Sequence, residues 1–482
     1  MPNILFATSE AYPLIKTGGL ADVSGSLPTA LHELGQDIRL TLPAYPEALQ
    51  RAGAVQRVAE IPTRFGVVSV LEGTLPGSTL PVWLLDHPDS FERSGNPYLA
   101  ADGKPWQDNA TRFTVFAQAI TELAMGRCGL DWAPDIVHCN DWQTGLVPAL
   151  LRLEHERPAT VFTVHNLAYQ GLFPMASLSA LGLAPELGTS EALEFHGQLS
   201  FIKGGLIFAD RISTVSPTYA EEIQRPEFGY GLDGLLRHRS AVLSGILNGI
   251  DEREWDPQRD QHLAQPYGAA NVVEGKLANR LALSAEFGLE PSSRALLVGM
   301  VGRLVEQKGI DLVLDALPSL LELPVQLVLL GSGEDRFEAA LSEWAELEPR
   351  RVAVRIGYDE RLAHVIEAGA DTFLMPSRFE PCGLNQMYSL RYGTPPIVTR
   401  TGGLADTVTD ASRDTLTRAE ASGIVLERPE TGALIEAMKR ACLLFADKKL
   451  WLGMQRNGMR QDFTWRRSAD AYLELYAEAM RS

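Results

Sequence analysis

Cysteine is scarce in this chain, with four in 482 residues. They stand at 128, 139, 382 and 442, in no metal-binding spacing. That excludes a disulfide-stapled scaffold and suits a reducing compartment. Positive charge is also short: 43 Lys and Arg face 61 Asp and Glu, for a formal net charge of −18. Such a surplus repels nucleic acid and anionic lipid, so neither is an expected partner. No apolar run approaches the roughly 20 residues needed to span a bilayer. The opening M-P-N-I-L-F-A-T-S carries no basic leader. A soluble, cytoplasmic protein of two or three domains is expected. Any anion it binds must be gripped by a few local cations and main-chain amides.

What the chain does have is strand–helix alternation. Short runs rich in Val and Ile (NILFAT, DIRLTLP, LPVWLLD, DIVHC, ATVFTV, RISTVS) are followed, after an irregular stretch, by ALLVGMVG, VQLVLLG, VAVRIG, DTFLMP and PPIVT. Their continuous hydrophobicity predicts strands buried on both faces, as in parallel sheets. Helical patterns lie between them at 109–127, 142–155, 275–287, 309–321 and 334–346. The fold class is α/β, doubly wound. The alternation restarts beyond L-N-G-I-D-E-R-E-W-D-P (247–257), which predicts two Rossmann-like domains, 1–243 and 244–460, with a cleft between them. Residues 461–482 predict an amphipathic helix, with Ala469, Tyr472, Leu473, Tyr476 and Met480 on one face, packing back on the N-terminal domain.

In such sheets, ligands sit beyond the C-terminal ends of strands, where Gly-rich loops lead into helices. The loop K-T-G-G-L-A-D-V (16–23) places Lys16 within reach of a phosphate and Gly18 and Gly19 where a backbone approaches a ligand, or simply turns. V-G-R-L-V-E-Q-K-G (301–309) brings Arg303 and Lys308 to a strand end, as a diphosphate clamp or as two surface cations. S-R-F-E-P-C-G-L-N (377–385) presents Glu380 and the amides of Cys382, Gly383 and Leu384. Cys382 has no histidine in its motif and reads as a small buried thiol. T-V-H-N-L-A-Y-Q-G (163–171) offers His165 and Asn166, and H-C-N-D-W-Q (138–143) offers Asp141 beside Trp142, groups suited to a polyhydroxy ligand. T-G-G-L-A-D recurs at 401–406 after Arg400, in a phosphate-side or a packing role. There is no P-loop, no early G-x-G-x-x-G and no H-E-x-x-H, which disfavours P-loop hydrolysis, a dehydrogenase and a zinc enzyme.

Taken together and in this order, K-T-G-G-L-A-D-V, H-N-L-A-Y-Q-G, L-N-G-I-D, G-R-L-V-E-Q-K-G and S-R-F-E-P-C-G-L-N-Q-M-Y-S-L-R-Y-G-T resemble the bacterial glycogen synthases and plant starch synthases. The resemblance implies a GT-B fold, with two Rossmann-like domains facing across a deep cleft. It also implies retaining transfer of glucose from ADP-glucose to the non-reducing end of an α-1,4-glucan, without metal or cofactor. On that pattern Lys16, His165, Arg303, Lys308 and Glu380 are the catalytic set. Gly18, Gly19, Asp22, Tyr98, Asp141, Asn166, Asn248, Cys382, Gly383 and Leu384 bind substrate, and Tyr358 stacks on adenine. Many broader relatives carry a second glutamate eight residues after the first; here that position is Tyr388. The alternatives are another GT-B transferase, using UDP-glucose or a small acceptor, and a non-catalytic glucan-binding protein on the same scaffold.

Overall fold

The computed structural model describes residues 2–481. The chain divides into two compact units: Met1–Gly249 joined by Trp465–Ser482, and Ile250–Thr464.

The first unit contains β1 (Asn3–Ala7), β2 (Asp37–Pro43), β3 (Gln56–Thr63), β4 (Gly66–Thr74), β5 (Pro81–Asp86), β6 (Ile136–Asn140), β7 (Ala159–Val164), β8 (Leu172–Pro174), β9 (Glu194–Phe195), β10 (Gln198–Ser200), β11 (Arg211–Thr214) and β12 (Leu243–Gly245). Nine of these form one sheet in the order β12, β11, β7, β6, β1, β2, β5, β4, β3, while β8, β10 and β9 form a small sheet of their own. Pairing is parallel from β12 through β5 and antiparallel from β5 to β3. β6 is buried at every residue, and β1 and β7 at all but the first. These continuous apolar runs lie at the centre of the sheet, covered on both faces. The antiparallel hairpin β3–β4 is not among the runs singled out from the sequence. It alternates instead, burying Val68 and Val70 between more exposed neighbours, Val67 in solvent and Ser69 and Leu71 half-buried, the signature of a strand with one wet face.

The junction falls at Gly249–Ile250 rather than at 243. The reason is β12, which pairs with β11 through Ile212–Leu243, Ser213–Ser244 and Thr214–Gly245 and so completes the first sheet. The predicted helix 142–155 is broken into a single turn, Trp142–Thr144, and a helix, Leu146–Leu151. Gly145 stands at the break, with the main chain of Phe201 where a side chain would go. The last helix, Trp465–Ala479, returns to the first unit. There the Tyr476 hydroxyl lies 2.7 Å from His138 Nδ1, and Ser468 Oγ donates to Leu247 O at 2.6 Å. Its buried face is Ser468, Ala469, Tyr472, Leu475, Tyr476 and Ala479. Leu473 is half-buried and Met480 is 47% exposed, so neither belongs to that face.

The second unit contains β13 (Leu296–Leu304), β14 (Val325–Gly333), β15 (Val352–Ile356), β16 (Thr372–Met375), β17 (Pro396–Thr399) and β18 (Ile424–Leu426). All pair in parallel, in the order β15, β14, β13, β16, β17, β18. Its core joins Leu296, Val298 and Leu329 of the sheet to Ile310, Val313 and Leu317 of the helix Ile310–Leu320 and to Leu434 and Met438 of the helix Thr431–Ala446. In both units the strand order reverses next to the first strand, between β13 and β16 here and between β1 and β6 in the first unit. That reversal opens a crevice at the strands' C-terminal ends, where doubly wound sheets bind ligands. No helix among the described residues is long and apolar enough to cross a membrane.

Candidate functional site

Two loops meet at the reversal point of the second unit. Arg303 stands at the end of β13 and Lys308 in the loop after it, and the loop after β16 carries Glu380. Lys308 Nζ lies 2.5 Å from Glu380 Oε2, and Ser377 Oγ donates to the same oxygen at 3.1 Å. Glu380 is only 6% exposed, and a carboxylate so enclosed is stable there because it is paired and hydrogen-bonded. Main-chain stitching aligns the loops: Arg378 N donates to Gln307 O (2.8 Å) and Gln307 Nε2 to Phe379 O (2.9 Å). Gly309 enters the next helix at φ +73, with Pro376 O where a Cβ would project; only glycine meets both demands. Arg303 is exposed and donates to Gln307 Oε1 at 3.0 Å. A pocket opens between these groups, lined by Gly302, Arg303, Lys308, Ser377, Glu380, Gly383, Leu384 and Asn385. Two cations, one enclosed carboxylate and a turn of main chain can hold an anion next to hydroxyl groups.

Gly383 turns at φ +74, and Leu384 precedes the short helix Asn385–Arg391. Cys382 is buried and its carbonyl accepts from Gln386 Nε2 at 3.0 Å. Tyr358 follows β15, is 76% exposed and donates its hydroxyl to Glu360. Tyr388 is buried, its ring stacked on Trp255 at 3.8 Å, and Trp255 stacks in turn on His364 at 3.7 Å. The repeated T-G-G-L-A-D has a packing role. Gly402 (φ +42) and Gly403 press against the main chain of Glu380 and Cys382, and Gly403 N donates to Glu380 O and Pro381 O, both at 3.2 Å. Arg400 is turned to Glu427, at 2.9 Å.

In the first unit, the loops after β1, β6 and β7, three neighbouring strands, carry Lys16, Asp141 and His165. Lys16 pairs with Asp22 at 2.9 Å and stands 5.4 Å over the Tyr12 ring. Gly18 precedes the helix Gly19–Glu33 in extended conformation, with nothing within 4 Å of a would-be Cβ. The fold itself therefore makes no demand for glycine there. The His165 ring lies 2.9 Å from Asn140 Oδ1 through Nε2. Asn140 spends its amide N–H on Ala7 O (3.0 Å), so its oxygen faces the ring. Nε2 must then be the donor, which leaves Nδ1 as an acceptor. Burial lowers the His165 imidazole to about 3, so it is neutral at working pH. Asn166 Oδ1 accepts from Ala168 N at 3.0 Å.

Asp141, expected to meet the sugar, is 7% exposed and also serves the neighbouring loop. Its backbone is at φ +56, and its Oδ1 accepts the main-chain N–H of His165 at 2.7 Å. A strained residue is tolerated here because it holds the neighbouring loop. Burial pushes its carboxyl up to about 7, against the lowering effect of the His165 and Asn166 amides. Tyr98 is likewise turned inward, its hydroxyl 2.7 Å from Ser9 Oγ. Asn248 is 5% exposed and its Oδ1 has no protein partner, an acceptor that a ligand hydroxyl would satisfy. Sequence reasoning missed Asn140, Ser377 and Gln307, which orient the named residues, and also Glu10, whose Oε2 accepts from Thr17. The only signal for these was proximity to the motifs.

Comparison with known proteins agrees along the whole chain. A starch synthase catalytic domain model matches residues 3–238, and a glycosyl transferases group 1 model matches residues 286–445. Glycogen synthase 1 of Methylococcus capsulatus is 58% identical, covering 99% of this chain and 97% of its own. Glycogen synthase of Thioalkalivibrio sulfidiphilus is 55% identical, covering 99% of each. The catalytic domain of starch synthase IV from Arabidopsis thaliana, solved bound to ADP and acarbose, superposes with a TM-score of 0.89 at 34% identity, covering 100% of both chains.

Proposed function

The chain belongs to the bacterial glycogen synthases, GT-B glucosyltransferases of glycogen synthesis, and from that premise we propose that its donor is ADP-glucose. Glucose passes with retained configuration to the non-reducing end of an α-1,4-glucan. The observation that carries this reading is the Lys308–Glu380 pair beside Arg303 at the strand-order reversal of the second unit. Arg303 and Lys308 bind the diphosphate. Glu380, with the amides of Cys382, Gly383 and Leu384, holds the glucose hydroxyls, and Tyr358 stacks on adenine. In the first unit Lys16, with Gly18, Gly19 and Asp22, meets the donor. Neutral His165 accepts from a glucose hydroxyl through Nδ1, while Asn166, Asn248 and Tyr98 complete the sugar's surroundings. Asp141 acts by holding the His165 loop.

Breaking the sugar–phosphate bond builds positive charge on the sugar and negative charge on the departing diphosphate. Fixed cations interact more strongly with that developing charge than with the ground state, and so lower the barrier. The acceptor hydroxyl attacks on the face the diphosphate leaves, and a phosphate oxygen takes its proton. In support, Asp141 accepts a main-chain N–H, Glu10 bonds Thr17 and Glu380 is paired with Lys308, so each of the three carboxylates already has a structural partner. A radiolabelled assay with ADP-glucose and UDP-glucose side by side tests the donor. Label from ADP-glucose in ethanol-insoluble polymer, with ADP released, is the expected result. Faster transfer from UDP-glucose would overturn it.

A further inference from the structure

Glu10 opens the loop whose far end carries Lys16, Gly18 and Gly19. It is 3% exposed, yet its Oε2 accepts two hydrogen bonds from Thr17, from the main-chain N at 2.6 Å and from Oγ1 at 2.8 Å. Thr17 is itself exposed, so these bonds reach from the interior to the outer end of the loop. Between the two residues the chain folds back through Ile15 N to Ala11 O (3.0 Å) and is tied to the following helix by Tyr12 N to Ala21 O (2.9 Å). A buried carboxylate is an expensive way to fill space, and an uncharged side chain would pack as well. We propose that Glu10 is a positioning residue for glucosyl transfer, its carboxylate setting where Lys16 and the Gly18–Gly19 main chain stand through the two bonds from Thr17. The inference rests on the reading that this loop meets the donor.

The grip depends on pH. Burial pushes the Glu10 carboxyl up to about 7, opposed by the hydrogen bonds from Thr17 and Tyr98. The groups facing it are Asp22 from the next helix, Asp141 from the loop after β6, and the Tyr45 and Tyr98 hydroxyls. Asp22 is paired with Lys16, and both tyrosines are pushed up by burial and stay protonated. Above about 7 the carboxylate accepts both Thr17 bonds at full strength. Below that it carries a proton, accepts more weakly, and loosens the loop.

The test uses the full chain and its Glu10→Gln, Thr17→Val and Lys16→Ala variants, with steady-state rates on ADP-glucose and glycogen from about pH 5.5 to 9. Glu10→Gln is expected to lower kcat/KM for the donor on the order of 10–100-fold on the alkaline side, leave KM for glycogen unchanged and flatten the acid limb. Thr17→Val keeps the main-chain bond; a loss of a few-fold and an acid limb moved to higher pH are expected. A folded Glu10→Gln variant with wild-type rates and limb overturns the proposal. If that variant does not fold, a Thr17→Val enzyme with wild-type rate and limb overturns it equally. Lys16→Ala separates the two levels. Wild-type turnover there removes the donor reading and this inference with it. A crippled Lys16→Ala beside unaffected Glu10→Gln and Thr17→Val removes the role of Glu10 alone.

Discussion

The ammonium of Lys308 and the carboxylate of Glu380 stand 2.5 Å apart, on loops that follow neighbouring strands of one sheet. Each is the other's counter-charge, so removing either exposes the remaining one. Lys308→Ala is expected to lower turnover by about 10²–10³-fold and to weaken ADP binding as well. Glu380→Ala is expected to lower kcat far more than ADP affinity, because its partner cation remains for the diphosphate. Rate assays with calorimetric ADP titration check both. Equal losses of rate and affinity in the glutamate variant would contradict its assignment to the sugar.

The two copies of T-G-G-L-A-D should answer differently to one methyl group. At Gly402 a Cβ meets the carbonyl of Glu380 and the backbone is at φ +42. Gly402→Ala should cost about 1–3 kcal/mol of stability and lower activity by displacing Glu380. At Gly18 the backbone is extended and the space open. Gly18→Ala should leave the melting temperature unchanged and lower activity only, if a ligand fills that space. Thermal melts beside rate assays decide between the two behaviours.

That contrast shows where the sequence was readable. Both loops could be placed at strand ends, because the continuous runs NILFAT and PPIVT signal buried parallel strands and glycines mark where they end. What one loop touches could not be read. Gly402 against Glu380 and Asp141 against the His165 amide depend on which strands are neighbours, and that is set by topology rather than by local pattern. Glu10 against Thr17 depends on how one loop folds back on itself. The β3–β4 hairpin is hidden for a different reason: it alternates, and so carries no unbroken apolar run. The inward turn of Asp141 had no local signal, since a positive φ on aspartate is not written in H-C-N-D-W-Q.

Tyr476→Phe tests the return of the last helix. His138 Nδ1 would lose its partner at 2.7 Å while Nε2 keeps Thr163 Oγ1 at 2.6 Å. The expected loss is about 1–3 kcal/mol, the cost of a buried polar atom left unpaired. Burial also lowers His138 to about 3. Because the folded state resists protonation at His138 and His165 alike, their contribution is intact above the unfolded value of about 6.5 and is lost as pH falls from there toward 3. Denaturant midpoints measured against pH check the direction.

Tyr358→Ala should leave stability unchanged, since the ring is largely in solvent. Stacking on a base is worth about 1–3 kcal/mol, so KM for ADP-glucose should rise by roughly 5–100-fold with kcat nearly preserved. Restoration by Tyr358→Phe would show that the ring face carries the effect. An unchanged KM in the alanine variant would place adenine elsewhere.

The C-terminal helix has a consequence for biosynthesis. Residues 250–464 form one uninterrupted stretch with its own sheet and core, so they can fold as they leave the ribosome. The first unit is different, although it is translated first. Its central strand β6 carries His138, whose partner Tyr476 lies 338 residues further along the chain. Until the helix Trp465–Ala479 has been made, the floor under His138, Thr163 and Leu247 is open to water and to other nascent chains. The first unit is thus finished only after the second, because its closing helix follows residue 464. Chains cut before Trp465 should fail there, while residues 250–464 stand complete.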